Sequence, residues 1–280
     1  MKSIARKLEE AAAGGSLGKR VLSSLILAPA ALATMYWGGP VFAAVIAFAA
    51  IVMAFEWTRM IEGRDFSMAF YALALSGAGA LALASAGYYP FAYGLCLFGG
   101  LAAGLASWRT PRLIPWAAFG AFYILAPSVA LIWLRSDIEN GRALTLMLFL
   151  IVWSADTGGY FGGRLVGGPK MSPVISPAKT WAGAVGGVIM GALAGLIVAK
   201  WVFGGGGAVF YVLVGASLGL ASILGDMAES AFKRTFGVKD MSGFIPGHGG
   251  FLDRLDGMIF ATTAMTLVLY LHILLGRFQG

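Results

Sequence analysis

Ala182-Gly-Ala-Val-Gly-Gly-Val-Ile-Met-Gly-Ala-Leu-Ala-Gly-Leu-Ile-Val-Ala-Lys200-Trp-Val-Phe203 carries a single charge, Lys200, close to its end. At a rise of about 1.5 Å per residue, roughly 20 such residues make a helix as long as the hydrocarbon core of a bilayer is thick. Similar apolar runs lie near 21–37, 41–57, 68–86, 89–107, 114–134, 143–155, 208–225 and 257–275. The chain is therefore predicted to be all-α, a polytopic transmembrane helical protein with about nine spans and two functional cytoplasmic loops. The runs at 21–37, 41–57 and 143–155 are short for a full crossing, and the last is expected to continue into the polar loop after it.

Composition supports this. Of 280 residues, 59% are hydrophobic and 12% charged, which excludes an ordinary soluble domain with about a quarter of its residues charged. Most of the glycines sit inside apolar runs, where small residues let helices approach closely. Cys96 is the only cysteine, so intrachain disulfides, cysteine zinc sites and iron–sulfur clusters are excluded. The net charge of +7 is dispersed between hydrophobic segments rather than gathered on a basic domain, which points to anionic lipid headgroups and not to nucleic acid. Residues 1–15 are charged and Ala-rich, unlike a cleavable signal, so the run after Arg20 is expected to stay as a first span.

Trp37, Trp57, Tyr88, Tyr89, Trp108, Trp133, Trp153, Trp181 and Trp201 fall near span boundaries, as interfacial anchors do. With nine spans and a cytoplasmic N-terminus, sixteen of the twenty Lys and Arg residues fall inside, leaving Arg135, Arg142, Lys200 and Arg277 outside. That orientation places the two long polar segments, 156–181 and 226–256, on the cytoplasmic face of the inner membrane. The chain then divides into a cytoplasmic segment 1–20, transmembrane helices over 21–155, and a catalytic membrane region over 156–280.

Segment 226–256 holds Asp226, Glu229, Asp240, Asp253 and Asp256. If the eighth span runs on past its apolar part, Asp226, Glu229, Ser230 and Lys233 share one helix face. Carboxylates converging from two helices beside cations suit metal-assisted attack on a phosphate: acids hold the ion, and cations neutralise charge in the transition state. Gly247-His248-Gly249-Gly250 adds backbone amides and a histidine that can face an anion. In the other loop, Asp156 stands at the end of the sixth span, and Ser176-Pro177-Ala178-Lys179-Thr180 leads into the seventh. Ser176, Lys179 and Thr180 there read equally as a helix start and as a phosphate site at a helix N-terminus.

Ser230-Ala-Phe-Lys233-Arg234, then Lys239-Asp240-Met-Ser-Gly-Phe-Ile-Pro246-Gly-His248-Gly249-Gly250-Phe-Leu-Asp253-Arg254-Leu-Asp256, resembles the signature of the phosphatidate cytidylyltransferases, also called CDP-diacylglycerol synthases. Gly225-Asp226-Met-Ala-Glu229 and Asp156-Thr-Gly-Gly-Tyr160-Phe-Gly-Gly-Arg164 are similar to that family too. The specific likeness covers about 156–256. Ala182 departs from it, standing where members more often have an acid. The resemblance implies CTP and phosphatidate as substrates, CDP-diacylglycerol and pyrophosphate as products, Mg²⁺ with a monovalent cation such as K⁺, and a homodimer in the lipid bilayer. It makes Asp226, Asp253 and Asp256 the expected metal ligands, with Asp156 and Asp240 as further candidates. Lys233, Arg234, Lys239 and Arg254 would contact triphosphate or lipid phosphate, while Ser230 and His248 supply hydrogen bonds. CDP-alcohol phosphotransferases and polyprenyl-phosphate transferases use Asp-rich patterns that are absent here. A transporter fits poorly, because the spans themselves carry almost no charge.

Overall fold

The structure, a computed structural model, describes residues 25–202, 204–244 and 249–278. The segment assigned to 1–20 and His248 lie outside the described residues. Helices dominate because a backbone in hydrocarbon must satisfy every N–H and C=O within its own segment. In chain order they are α1 (Leu25–Trp37), α2 (Gly39–Glu62), α3 (Met68–Ser85), α4 (Tyr89–Ala106), α5 (Ile114–Gly120), α6 (Ala126–Ser136), α7 (Gly141–Leu165), α8 (Trp181–Trp201), α9 (Ala208–Thr235) and α10 (Leu252–Phe278). Helices α5 and α6 belong to one crossing, Pro111–Ser136, interrupted by a π turn at Ala121–Leu125. Pro127 accounts for the interruption, since its ring crowds the carbonyl four residues back, that of Tyr123. Among the described residues, eight crossings are long and apolar enough to span a bilayer, and the first expected run is the shorter apolar helix α1.

Several helices run past the windows read from hydropathy. The apolar runs 143–155 and 208–225 stop at Asp156 and Asp226, whereas α7 continues to Leu165 and α9 to Thr235; α10 begins at Leu252 rather than 257. Helices of 25 and 28 residues are roughly 37 and 42 Å long, more than the ~30 Å of hydrocarbon, so their charged last turns can emerge without breaking the hydrogen-bond ladder. What the sequence suggests as a loop over 156–181 is helix to Leu165, then an antiparallel hairpin of β1 (Lys170–Ser172) and β2 (Ser176–Thr180).

The boundary aromatics divide. Trp37, Tyr88, Trp108, Trp181 and Trp201 are exposed, as interfacial anchors are. Trp57 is not an anchor: it is fully buried, donates Nε1–H to the Trp116 carbonyl at 3.0 Å, and packs with Phe119, Tyr123 and Phe232. Phe232 thereby fixes the last turns of α9 against α2 and the π turn.

Gly183, Gly187, Gly191 and Gly195 recur at every fourth residue of α8 and are all buried. Four residues turn an α-helix by about 400°, so such a row winds by about 40° per step. Its first half therefore meets the carbonyls of Gly159 and Ala155 on α7, and its second half those of Gly215 and Tyr211 on α9. A Cβ on Gly191 would stand 2.7 Å from the Gly215 oxygen, closer than such atoms approach. A second row at the same spacing, Trp181, Val185, Ile189, Leu193, Ile197 and Trp201, is exposed. Gly191→Val is expected to destabilise the protein by about 1–3 kcal/mol through overpacking, seen as a lower melting temperature in micelles. Val185→Leu, on the outward row, should stay within about 0.5 kcal/mol of the parent.

Candidate functional site

Gly225 lets α9 lie directly on α10, for a Cβ there would meet the Asp256 carbonyl oxygen at 2.5 Å. That approach brings Asp226, one residue on, to Asp256. Glu229 stands one turn further along the same face of α9. The three acids present carboxylate oxygens that all lie within 4.8 Å of one another. Glu229 and Asp256 are buried, and Glu229 Oε1 has no hydrogen-bond partner. Gathering three carboxylates this way costs both desolvation and like-charge repulsion unless a cation joins them. An oxygen-only donor set with an orphaned buried oxygen fits a hard divalent cation such as Mg²⁺.

Lysines tie this trio to its surroundings. Lys233 Nζ lies 2.6 Å from Glu229 Oε2 and donates to Asp253 Oδ1 at 2.7 Å, with its side chain 12% exposed. Asp253 Oδ2 also accepts from the backbone N–H groups of Gly250 at 2.8 Å and Met241 at 3.1 Å. Asp253 is thus already engaged by three donors, while Asp226, Glu229 and Asp256 form the metal-competent group. Lys179 Nζ lies 2.6 Å from Asp226 Oδ2, joining the hairpin to α9. Beside it, Thr180 Oγ1 accepts from the Gly183 N–H at 3.1 Å as the N-cap of α8. The helix cap and the cation therefore belong to neighbouring residues, Thr180 and Lys179. Ala182, which departs from the family pattern, packs its carbonyl toward Gly162 of α7, where a Cβ would approach it at 2.7 Å.

A cavity of about 770 Å³ opens over these groups, within the usual range for small-molecule sites. Asp156, Tyr160 and Arg164 line it from α7, Lys179 and Thr180 from the hairpin, and Asp226, Glu229 and Lys233 from α9. Asp240, Asp253, Arg254 and Asp256 complete the wall. Of the residues singled out from sequence, Ser176, Ser230, Arg234 and Lys239 do not line it. Arg234 is exposed and donates to the Val238 carbonyl at 3.4 Å, and Lys239 is exposed to solvent. Glu229, which the motif acids alone do not single out, has its sequence signal in its place on the Asp226–Lys233 face. Tyr160 and Arg164 stood in the quoted motif likewise, and Arg164 Nη1 donates to the Tyr160 hydroxyl at 2.7 Å.

The family model described as the cytidylyltransferase family matches residues 18–272. A phosphatidate cytidylyltransferase of Brucella suis biovar 1 (strain 1330) is 37% identical over 259 residues, covering 90% of this chain and 93% of the relative. Proteins of the same name from Haemophilus influenzae and Staphylococcus saprophyticus are 40% and 39% identical over 152 and 153 residues, about half of each chain. The likeness to the Brucella protein thus runs through the N-terminal spans as well as the acid-lined cavity, and this chain belongs to the cytidylyltransferase family of nucleotidyltransferase enzymes.

Proposed function

We propose that the chain is a phosphatidate cytidylyltransferase, converting CTP and phosphatidate to CDP-diacylglycerol and pyrophosphate at the inner face of a cytoplasmic membrane. The observation that carries this reading is the convergence of Asp226, Glu229 and Asp256 within 4.8 Å, in a cavity that also receives Lys179, Lys233 and Arg254. The names of its relatives supply the substrate class, and the inside excess of Lys and Arg supplies the orientation. A lipid phosphate oxygen attacks the α-phosphorus of CTP in line; the new P–O bond forms as the α–β bridging bond breaks and pyrophosphate departs. The attacking phosphate is ionised at neutral pH, so no side chain need take its proton. Positioning and charge neutralisation then carry the rate. Mg²⁺ held by Asp226, Glu229 and Asp256 would neutralise phosphate oxygens as negative charge develops. Lys179 from the hairpin and Arg164 from α7 hold the phosphate chain, while Lys233 keeps Glu229 and Asp253 in place. Purified protein incubated with CTP, phosphatidate and Mg²⁺ should release CDP-diacylglycerol and pyrophosphate in equal amounts. Release of neither, across detergents and monovalent ions, would sink the reading.

Lys179→Met separates the hairpin's two roles. Asp226 keeps 47% of its side chain exposed, so loss of this ion pair should cost less than about 1 kcal/mol of stability. kcat/KM for CTP should nevertheless fall by roughly ten- to a thousandfold, the range for one lost charge-assisted phosphate contact. Lys200→Met, in the last turn of α8, is the control and should match the parent.

A further inference from the structure

Glu56 lies in the last two turns of α2, a helix that is apolar up to that point, and it is fully buried. A carboxylate is costly there unless donors surround it. Among the described residues, the donors that meet it come from Ser242 and from the start of α10. Oε2 accepts from the Leu252 N–H at 2.8 Å, Oε1 accepts from the Phe251 N–H at 3.0 Å, and the Ser242 hydroxyl also donates to Oε1. Gly250 completes the fit, because a Cβ there would stand 2.8 Å from Oε2 and nearer still to Oε1. Two α2 rings flank the carboxylate: Phe48 meets Phe251 edge-on at 5.9 Å, and Phe55 meets Phe244 at 5.7 Å.

The amides of Gly250, Phe251 and Leu252 are thus shared between two acids, Asp253 taking the first and Glu56 the next two. These are the orphan donors at the start of α10, and the helix dipole strengthens their hold on a negative group. Through them Glu56 is connected to Asp253, from Asp253 to Lys233, and from Lys233 to Glu229. We infer that Glu56 is a positioning residue of the nucleotidyl-transfer site, holding the start of α10 from the N-terminal half so that Asp253 engages Lys233 and Asp256 faces Asp226. The inference rests on the reaction proposed above, and nothing in the motif region from 156 onward contains this residue.

The test combines hydrogen exchange with kinetics on the full-length protein, as the parent, Glu56→Gln, Gly250→Ala and the double variant. Glu56→Gln keeps the shape but turns an amide donor toward backbone N–H groups. Exchange at Phe251 and Leu252 should quicken at least about tenfold, while amides of α3 and α4 stay unchanged. kcat should fall at least about tenfold, with KM for CTP moving by less than about threefold, because Lys179 and Arg164 sit on other elements. Gly250→Ala should reproduce both effects, and the double variant should be no worse than the more damaged single. Turnover lost with exchange unchanged overturns the inference, as do exchange quickened with turnover intact and fully additive singles. Exchange needs no substrate. Should the parent make no CDP-diacylglycerol, the proposed reaction falls by itself, and unchanged exchange at Phe251 and Leu252 in Glu56→Gln remains the result that overturns the role of Glu56.

Discussion

Asp256→Asn lowers turnover by at least about a hundredfold and leaves the protein as stable as the parent, or more so. The activity loss follows from the donor set: an amide keeps the volume of the carboxylate but forfeits the charge with which Asp226, Glu229 and Asp256 hold a divalent cation. A hundredfold corresponds to about 2.7 kcal/mol of transition-state stabilisation, modest for a lost metal ligand. Stability moves the other way because Asp256 is buried beside two further acids, and neutralising it relieves repulsion and a desolvation penalty. Three measurements check this: initial rates at saturating Mg²⁺, the melting temperature without added metal, and the rise in melting temperature on adding Mg²⁺. That rise, present in the parent, should vanish in Asp256→Asn, since a ligand stabilises only the fold that binds it. Near-parental rates together with an intact Mg²⁺-dependent shift would remove Asp256 from the ligand set.

Lys233→Met should have the opposite stability signature. Its ammonium is the shared partner of Glu229 and Asp253, whose side chains are only 1% and 6% exposed. Removing it leaves two nearly buried carboxylates facing each other, a situation that costs about 3–5 kcal/mol. The variant should express poorly or melt far below the parent, and any folded fraction should be inactive. Lys233→Arg keeps the charge but exchanges a compact ammonium for a planar fork, so stability should recover only in part. If Lys233→Met melts with the parent, this three-membered ion group is not what holds the end of α9 to the start of α10. Among Lys179, Lys233 and Asp256, then, three substitutions in one cavity give three distinct pairs of stability and rate.

Much of this was legible in the sequence, for identifiable reasons. The crossings follow from length and apolarity, and the Asp226, Glu229 and Lys233 face from helical spacing on a span that continues past its last apolar residue. The partner assignments were not legible. Asp226, Asp253 and Asp256 look alike as acids in a motif, and only the packing of Gly225 on the Asp256 carbonyl decides that Asp256 joins Asp226 while Asp253 turns to Lys233 and two amides. Glu56 belongs to no such motif, because its donors, two backbone N–H groups and the Ser242 hydroxyl, lie nearly two hundred residues away, which no local pattern records. Its one signal was a carboxylate near the end of an apolar span, where acids are costly. Trp57 misled in the same way: a boundary position on the linear chain became the centre of an aromatic cluster once α9 packed beside it.

The two four-residue rows on α8 also govern how the gene can change length here. Inserting or deleting one residue in the middle of this helix turns everything beyond it by about 100°. Beyond an insertion at Ile189, Met190 and Ala194 would take the places of Gly191 and Gly195, against neighbouring backbones that admit only glycine, and those two glycines would be carried away from α9. Single-codon indels should therefore be selected against along α8. A four-codon insertion, off phase by only about 40°, leaves the rows nearly aligned but makes the helix about 6 Å longer than the bilayer it now fits. Point changes among apolar residues on the outward row meet no such barrier, since acyl chains have no shape to match. Helix α8 is thus free to drift in composition along one side and fixed in length altogether.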